Sequence, residues 1–268
     1  MHQGCGKLTA RKEQELGGIT YMRLNQFKNQ YFERDFRRVI IADVFSGSGS
    51  NAVGDEIIDG SPIRVLSAYQ RANNGNLNIP VGFWFSDIRR DACGLLKKRI
   101  DVRFKSMNKL DIVIKEMEAK DAINELGAFI HRKKNAYLYL ILDPNGPKNF
   151  PKEEVEDLIY GYSKRVDVIP HISAIAINRC IGARKKAKMQ FMNWLAQIEN
   201  FDEGFVASLS DGRKGWIRQP VQGDIWRWTM LPTFGRMPPK QDWNKQGFVK
   251  LNSEEGKAAV KFYCGETL

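Results

Sequence analysis

The chain has 268 residues, 43% of them hydrophobic and 27% charged, a balance that suits one generous globular domain and excludes wholesale disorder, collagen and a small disulfide scaffold. No apolar run reaches the roughly 18 residues of a membrane span, and Met1 to Cys5 lack the apolar core of a secretory signal, so a soluble cytoplasmic protein is expected. Forty-two Lys and Arg against 31 Asp and Glu leave a formal charge of +11, which favours a polyanionic partner such as nucleic acid; a solvated basic surface is the plainer alternative.

Residues 11–38 mix Arg, Lys, Glu and Gln with Leu24, Phe27, Tyr31 and Phe36 at helical intervals. They predict a short strand or turn around Gly17 to Tyr21 and then an amphipathic helix to about Phe36. From Val39 to Phe45 a continuous apolar run ends in a Gly/Ser turn, as expected of a central parallel strand buried on both faces. Pro62 to Ala72 reads as a helix, with Ser61 as N-cap and Pro62 at the first helical position.

Val81 to Phe85 is then a strand, Asp91 to Ile100 a helix, Val102 to Met107 a short strand, and Asp111 to His131 a long helix. Ala136 to Leu142 is a second strongly apolar strand, closed by Asp143-Pro144-Asn145-Gly146-Pro147, which cannot continue it. Glu153 to Lys164 reads as a helix, Ile172 to Ile177 as a strand and Ala183 to Ile198 as a helix. Phe205 to Leu209, Gly215 to Arg218 and Trp226 to Leu231 look like antiparallel strands joined by turns. The fold class predicted is α/β: a doubly wound, mostly parallel seven-stranded sheet ending in an antiparallel hairpin. No repeat or linker interrupts it, so residues 1–268 are read as one domain, with 1–38 a basic helical arm and 204–268 a Trp/Arg-rich segment.

Cys5, Cys93, Cys180 and Cys264 lie far apart with no Cys-x-x-Cys pair, and His2, His131 and His171 have no ligand spacing. Reduced thiols and no metal are expected.

The loop after the first buried strand, Asp43-Val44-Phe45-Ser46-Gly47-Ser48-Gly49-Ser50, sits where open α/β sheets bind ligands. Its alternate glycines admit close backbone approach. A simple strand-to-helix turn would look similar, but Asp43 near the strand end and Asp87 closing Phe83-Trp84-Phe85-Ser86 raise the reading of a cofactor site. Asp87 is placed to accept ribose hydroxyls or to cap the next helix. Asn108, ending Ser106-Met107-Asn108, is a candidate for an adenine edge. Read as Gly-x-Gly-x-x-Ala through Ala52, the loop suggests a dinucleotide fingerprint, yet the next helix starts only near Pro62 and no strand-end acid falls at the required distance.

The Asp-Val-Phe-Ser-Gly-Ser-Gly segment resembles the first motif of class I S-adenosylmethionine-dependent methyltransferases, especially those acting on nucleic acid. The likeness spans about Val39 to Leu231, and Asp43 to Ser61, including Asp59-Gly60-Ser61-Pro62, is similar to the three-Cys-motif partner proteins of bacteria and their phages. The resemblance implies S-adenosylmethionine as cofactor, held by Asp43, Phe45, Ser46, Gly47, Gly49, Asp87 and Asn108. It also implies catalysis by Asp143 and Pro144, which match the start of the Asp-Pro-Pro-aromatic motif of amino-methyltransferases. There a side-chain oxygen and a proline carbonyl accept the hydrogens of the target amine, and an aromatic stacks on the flipped base. Asn145 and Gly146 replace the second proline and the aromatic, so stacking must come from elsewhere, Phe150 or a C-terminal tryptophan; ordinary turn chemistry is the alternative. No Pro-Cys nucleophile stands in this loop, which argues against base-carbon methylation by that route.

Four of the six tryptophans, Trp216, Trp226, Trp228 and Trp243, are interleaved with Arg213, Lys214, Arg218, Arg227, Arg236 and Lys240. Cations beside flat rings suit phosphate contact with base stacking, although Trp226 and Trp228, two apart on a strand, could instead pack one face on the core. With Lys148 and the cluster Arg184-Lys185-Lys186, Arg218 and Trp226 are the candidate substrate contacts. The leading reading is methyl transfer to an exocyclic amine of DNA, adenine N6 foremost. An accessory binding protein that retains the fold is the alternative. A nuclease built on Glu118-Ala119-Lys120 is a distant third, because those residues fall inside a helical pattern without a partner acid.

Overall fold

The computed structural model describes residues 7–27, 36–73, 77, 80–107, 110–144, 150–173, 214–219, 228–230, 232–235 and 243–263. The chain divides into two compact units, Met1–Leu140 and Ile141–Leu268. No helix among the described residues is long and apolar enough to cross a membrane.

The first unit opens with helix α1, Lys7–Gln26, which runs straight through Gly17 and Gly18 where a strand or turn was expected. Gly17 lies against α2 (Ser61–Asn73): a Cβ there would come 3.7 Å from Arg64 Cβ, so packing between the helices outweighs the glycine's low helix propensity. Leu16, Ile19 and Leu24 are buried along one face of α1, and buried Arg23 donates to Tyr137 Oη at 2.7 Å and Gln26 Oε1 at 2.6 Å. Helix α1 therefore contributes side chains to the core of the first unit.

Strand β1 (Arg38–Asp43) pairs in parallel with β4 (Val81–Asp87), and β4 in parallel with β5 (Asp111–Glu116). On the other side of β1 lies β6, Ala136–Leu142, buried at every position, as its unbroken apolar sequence requires. Between β1 and α2 the chain makes a hairpin, β2 (Ser50–Val53) with β3 (Glu56–Asp59). Helix α3 is Arg90–Arg103 and α4 is Ala119–Arg132.

Two expectations are corrected here. The strand predicted over 102–107 is the end of α3 and a turn, because Leu96, Ile100 and Phe104 continue one buried face at helical spacing. The third parallel strand is Asp111–Glu116, read in sequence as the start of a long helix. It is an edge strand with no fully buried position, so the apolar signal of a central strand is missing. Asn108 therefore precedes that strand instead of ending it, and itself lies outside the described residues.

The second unit contains α5 (Lys152–Tyr162), β7 (Val166–Ser173), β8 (Lys214–Arg218), β9 (Trp228–Met230), β10 (Thr233–Phe234), β11 (Phe248–Lys250) and α6 (Glu254–Tyr263). Strand β7 begins six residues before the predicted Ile172 start. Pro170, which argues against a central strand in sequence, is accommodated because β10 pairs at Val168 and β9 at His171, leaving the proline between two short partners. β8 is antiparallel to both β10 and β11, which gives the expected antiparallel C-terminal strands. Trp216 and Trp243 stack at 4.8 Å among Phe234 and Phe248, so these two tryptophans are core. The predicted helix 183–198 and strand 205–209 lie outside the described residues. The α/β class, with parallel strands alternating with helices and antiparallel strands at the C-terminal end, is the one the sequence predicts.

Candidate functional site: a glycine loop and two strand-end acids

Beyond β1 the chain turns back through a network of backbone bonds. Asp43, fully buried, accepts the Phe45 amide through Oδ1 at 3.0 Å. Ser46 donates both its amide and its hydroxyl to the Ser86 carbonyl, at 2.9 and 3.0 Å, tying the loop to the end of β4. The Gly47 amide then donates to Asp87 Oδ2 at 3.0 Å.

Gly47 and Gly49 both have positive φ, 55° and 76°, which favours glycine at each. Their surroundings differ. A Cβ on Gly49 would lie 2.7 Å from Leu96 Cδ1 and 3.2 Å from Ile63 Cγ1, so that glycine makes room for the protein's own core. A Cβ on Gly47 would meet nothing within 4 Å. Gly47 is the point where the loop presents bare backbone to open space. Gly60 closes the hairpin onto the loop, its amide donating to the Gly49 carbonyl at 2.9 Å.

Asp87 is 9% exposed and accepts three hydrogen bonds. Oδ2 takes the Gly47 amide, and Oδ1 takes the Arg89 amide at 2.9 Å and Arg89 Nε at 3.3 Å. It thus leads the chain into α3 and clamps the loop at once. Behind it, Cys93 Sγ lies 3.5 Å from the Asp87 carbonyl and 3.4 Å from that of Lys115. Burial pushes this thiol up, so it stays protonated and serves as a donor.

Asp143 follows the last residue of β6. Its Oδ1 lies 2.6 Å from His171 Nδ1, with both side chains largely buried, at 20% and 11% exposure. The two meet as a close polar contact without the geometry of a hydrogen bond. Sequence reasoning missed His171 by testing histidines for metal-ligand spacing alone. The available signal was its position, an ionisable ring in a strand of Val and Ile beside an Asp-terminated strand. Pro144 is buried, while Asn145 and Lys148 lie outside the described residues, as do Arg184, Lys185, Lys186 and Trp226.

Arg218 differs from the exposed phosphate contact expected of it. It is 5% exposed, and its guanidinium lies 5.7 Å from the centre of the Phe248 ring. The cause is its place at the end of β8, a strand buried at every position but its first, with Phe248 directly opposite.

No family model and no curated protein matches the chain. Among solved structures, protein LPL1258 from Legionella pneumophila superposes with a TM-score of 0.48 at 10% identity, covering 94% of this chain and 92% of that one. An rRNA methylase from Streptococcus thermophilus gives 0.39 at 10% identity, with coverage of 78% and 92%. The magnesium protoporphyrin IX methyltransferase of Synechocystis, solved with bound SAM, gives 0.39 at 10% identity, with coverage of 83% and 78%. Likenesses this distant assign no residue role to this chain.

Proposed function

We propose that the chain is an S-adenosylmethionine-dependent methyltransferase acting on nucleic acid, on an exocyclic base amine of DNA, with adenine N6 the first target to test. One observation carries the cofactor assignment: a left-handed glycine facing open space, its amide held by the carboxylate that ends the neighbouring strand. The cofactor needs backbone it can approach without meeting a Cβ, and a strand-end acid for its ribose hydroxyls. Gly47 and Asp87 fit both needs. Asp87 spends three of about four acceptor positions on the protein, so a ribose hydroxyl would take the fourth or displace the Gly47 amide. Asp43, Phe45, Ser46 and Gly49 shape the same loop, with Asn108 proposed for the adenine edge.

The cofactor supplies, when bound, an electrophilic methyl group. The residues proposed to act on the substrate are Asp143 and Pro144. Asp143 would accept one amine hydrogen and the Pro144 carbonyl the other, keeping the nitrogen lone pair directed at the methyl carbon. Asn145 would offer a further acceptor. Lys148, Arg184, Lys185 and Lys186 are proposed to neutralise phosphates, with Trp226 as a stacking surface. Arg218 would act only from its buried position. The chain's formal charge of +11 supports the polyanion assignment. We propose a cytoplasmic location.

Asn145-Gly146, where amine methyltransferases carry a proline and an aromatic, favours a second reading, an accessory protein that binds cofactor without transferring its methyl group. Labelled-methyl transfer to unmethylated DNA and RNA, followed by nucleoside mass spectrometry, separates the two. A methylated base supports the enzyme. Cofactor binding without label on any nucleic acid supports the accessory protein.

A further inference from the structure

We propose that the surface formed by the β2–β3 hairpin and the outer face of α3 docks a second copy of this chain in a two-fold pairing. The described residues of the first unit expose four large aliphatic side chains, Ile57, Ile88, Leu95 and Val102. Single exposed side chains of this kind are ordinary, whereas a group of them on one surface marks a contact. Ile88 adjoins Asp87 and belongs to the mouth of the proposed cofactor site. The other three lie together. Leu95, Lys98 and Val102 share a face of α3, at helical spacings of three and four. Arg103, next to Val102, is ion-paired with Asp59 at the end of β3, and Ile57 lies on the same side of that strand as Asp59. Ile57 is 71% exposed, Val102 81% and Leu95 43%.

The charges beside this apolar centre fit a copy of themselves. On one side stands the hairpin tip, where Asp55 and Glu56 are both exposed. On the other is the turn Lys97-Lys98-Arg99, against which the next turn of the helix sets one acid, Asp101. Arg99 is engaged, donating to the Ser48 carbonyl, while Lys97, Lys98, Asp55 and Glu56 form no ion pair among the described residues.

Spacing completes the match. Lys98 is four residues from Val102, about 6 Å along a helix. Asp55 is two residues from Ile57, about 6–7 Å along an extended chain. A two-fold axis between Ile57 and Val102 brings each of these against the other in the second copy, and each acidic tip against the other copy's lysines. That is an isologous contact. A nucleic acid would meet the lysines but be repelled by Asp55 and Glu56, so the mixed charge favours a second copy. The formal charge of +11 on each chain opposes association at long range. At about 0.15 M salt the screening length is near 8 Å, which removes most of that repulsion and spares charges in contact. The patch is small, so the association is a weak one.

Sedimentation equilibrium of the full chain at about 0.15 M salt, with neither cofactor nor nucleic acid, tests this independently of the methyltransferase reading. The mean mass should rise from 30.7 kDa toward twice that value as concentration increases from micromolar to near-millimolar. Val102→Asp and Ile57→Asp, both at exposed positions, should each weaken the dimer about tenfold or more, with little change in unfolding temperature. The variants Lys97→Glu/Lys98→Glu and Asp55→Lys/Glu56→Lys should each be monomeric alone, since like charges then face each other at both contacts. An equimolar mixture of the two should dimerise again, because acid meets base at both contacts. A wild type that stays monomeric throughout, a dimer untouched by Val102→Asp and Ile57→Asp, or charge-reversed variants that fail to recombine would each overturn the inference. Loss of nucleic-acid affinity in Lys97→Glu/Lys98→Glu with self-association unchanged would assign the surface to nucleic acid instead.

Discussion

Asp87 and Asp143 each stand at the end of a strand, yet the first is held by amides close by in its own unit and the second is met by a side chain from a different strand. The carboxylate of Asp87 organises backbone: it fixes the Gly47 amide, turns the chain into α3, and does so through groups that any sequence with this spacing would supply. Asp143 meets an imidazole 28 residues away in the chain. A site of the first kind is robust and readable from a motif. A contact of the second kind crosses strands, and no local motif announces it.

The largest effect should come from the loop's packed glycine. Gly49→Val places a β-branched side chain at φ 76° and drives its Cβ within 2.7 Å of Leu96. Left-handed strain and overpacking together should cost about 2–5 kcal/mol of stability. Thermal unfolding should show a fall of several degrees or an insoluble product. A variant as stable as wild type would mean that α3 shifts freely and that the loop is not locked to the core.

Next comes Asp143. Asp143→Ala should reduce single-turnover methyl transfer about 10²-fold, the typical loss of one preorganised transition-state contact, and leave cofactor affinity unchanged by calorimetry. Asp143→Asn should be milder, because an amide oxygen still accepts. Equal rates for wild type and Asp143→Ala would reduce the Asp143–Pro144 segment to a turn.

These expectations also show which parts of the chain could be read from the sequence. Ala136–Leu142 was bounded correctly because a run of buried aliphatic and aromatic residues between a polar stretch and Asp-Pro has one reasonable assignment. Asp43, the glycines and Asp87 are candidates through their position relative to two such strands. Asp111–Glu116 did not, since an edge strand alternates weakly and runs into an amphipathic helix after two residues. Gly17-Gly18 misled because propensity is local, whereas the α1–α2 contact that overrides it is not. The contact of His171 with Asp143 belongs with these: it crosses strands, and no spacing rule encodes it.

A smaller effect is expected at the clamp. Asp87→Ala removes the acceptor for the Gly47 amide, for Arg89 and, on the proposed reading, for a ribose hydroxyl, whose hydrogen bond to a charged group is worth about 1.5–3 kcal/mol. Calorimetric titration should find S-adenosylmethionine affinity lowered at least tenfold, with a modest loss of stability from the freed start of α3. Undiminished affinity in the folded variant would sink the assignment of this acid to the ribose.

The smallest change to the fold tests the most specific point. Gly47→Ala adds one methyl group into space where no protein atom lies within 4 Å, at φ 55°, a conformation alanine tolerates at a cost of about 1–2 kcal/mol. No core atom needs to move, in contrast to Gly49. If the open space belongs to the cofactor, the methyl group collides with it, and affinity should fall by far more than stability does. Gly47→Val should deepen the loss of binding, while the fold again suffers less than in Gly49→Val. Paired measurements of unfolding temperature and cofactor Kd on these variants decide the matter. A Gly47→Ala protein that binds S-adenosylmethionine as tightly as wild type would show that the bare backbone at Gly47 faces solvent, and the cofactor would have to be sought at another strand end.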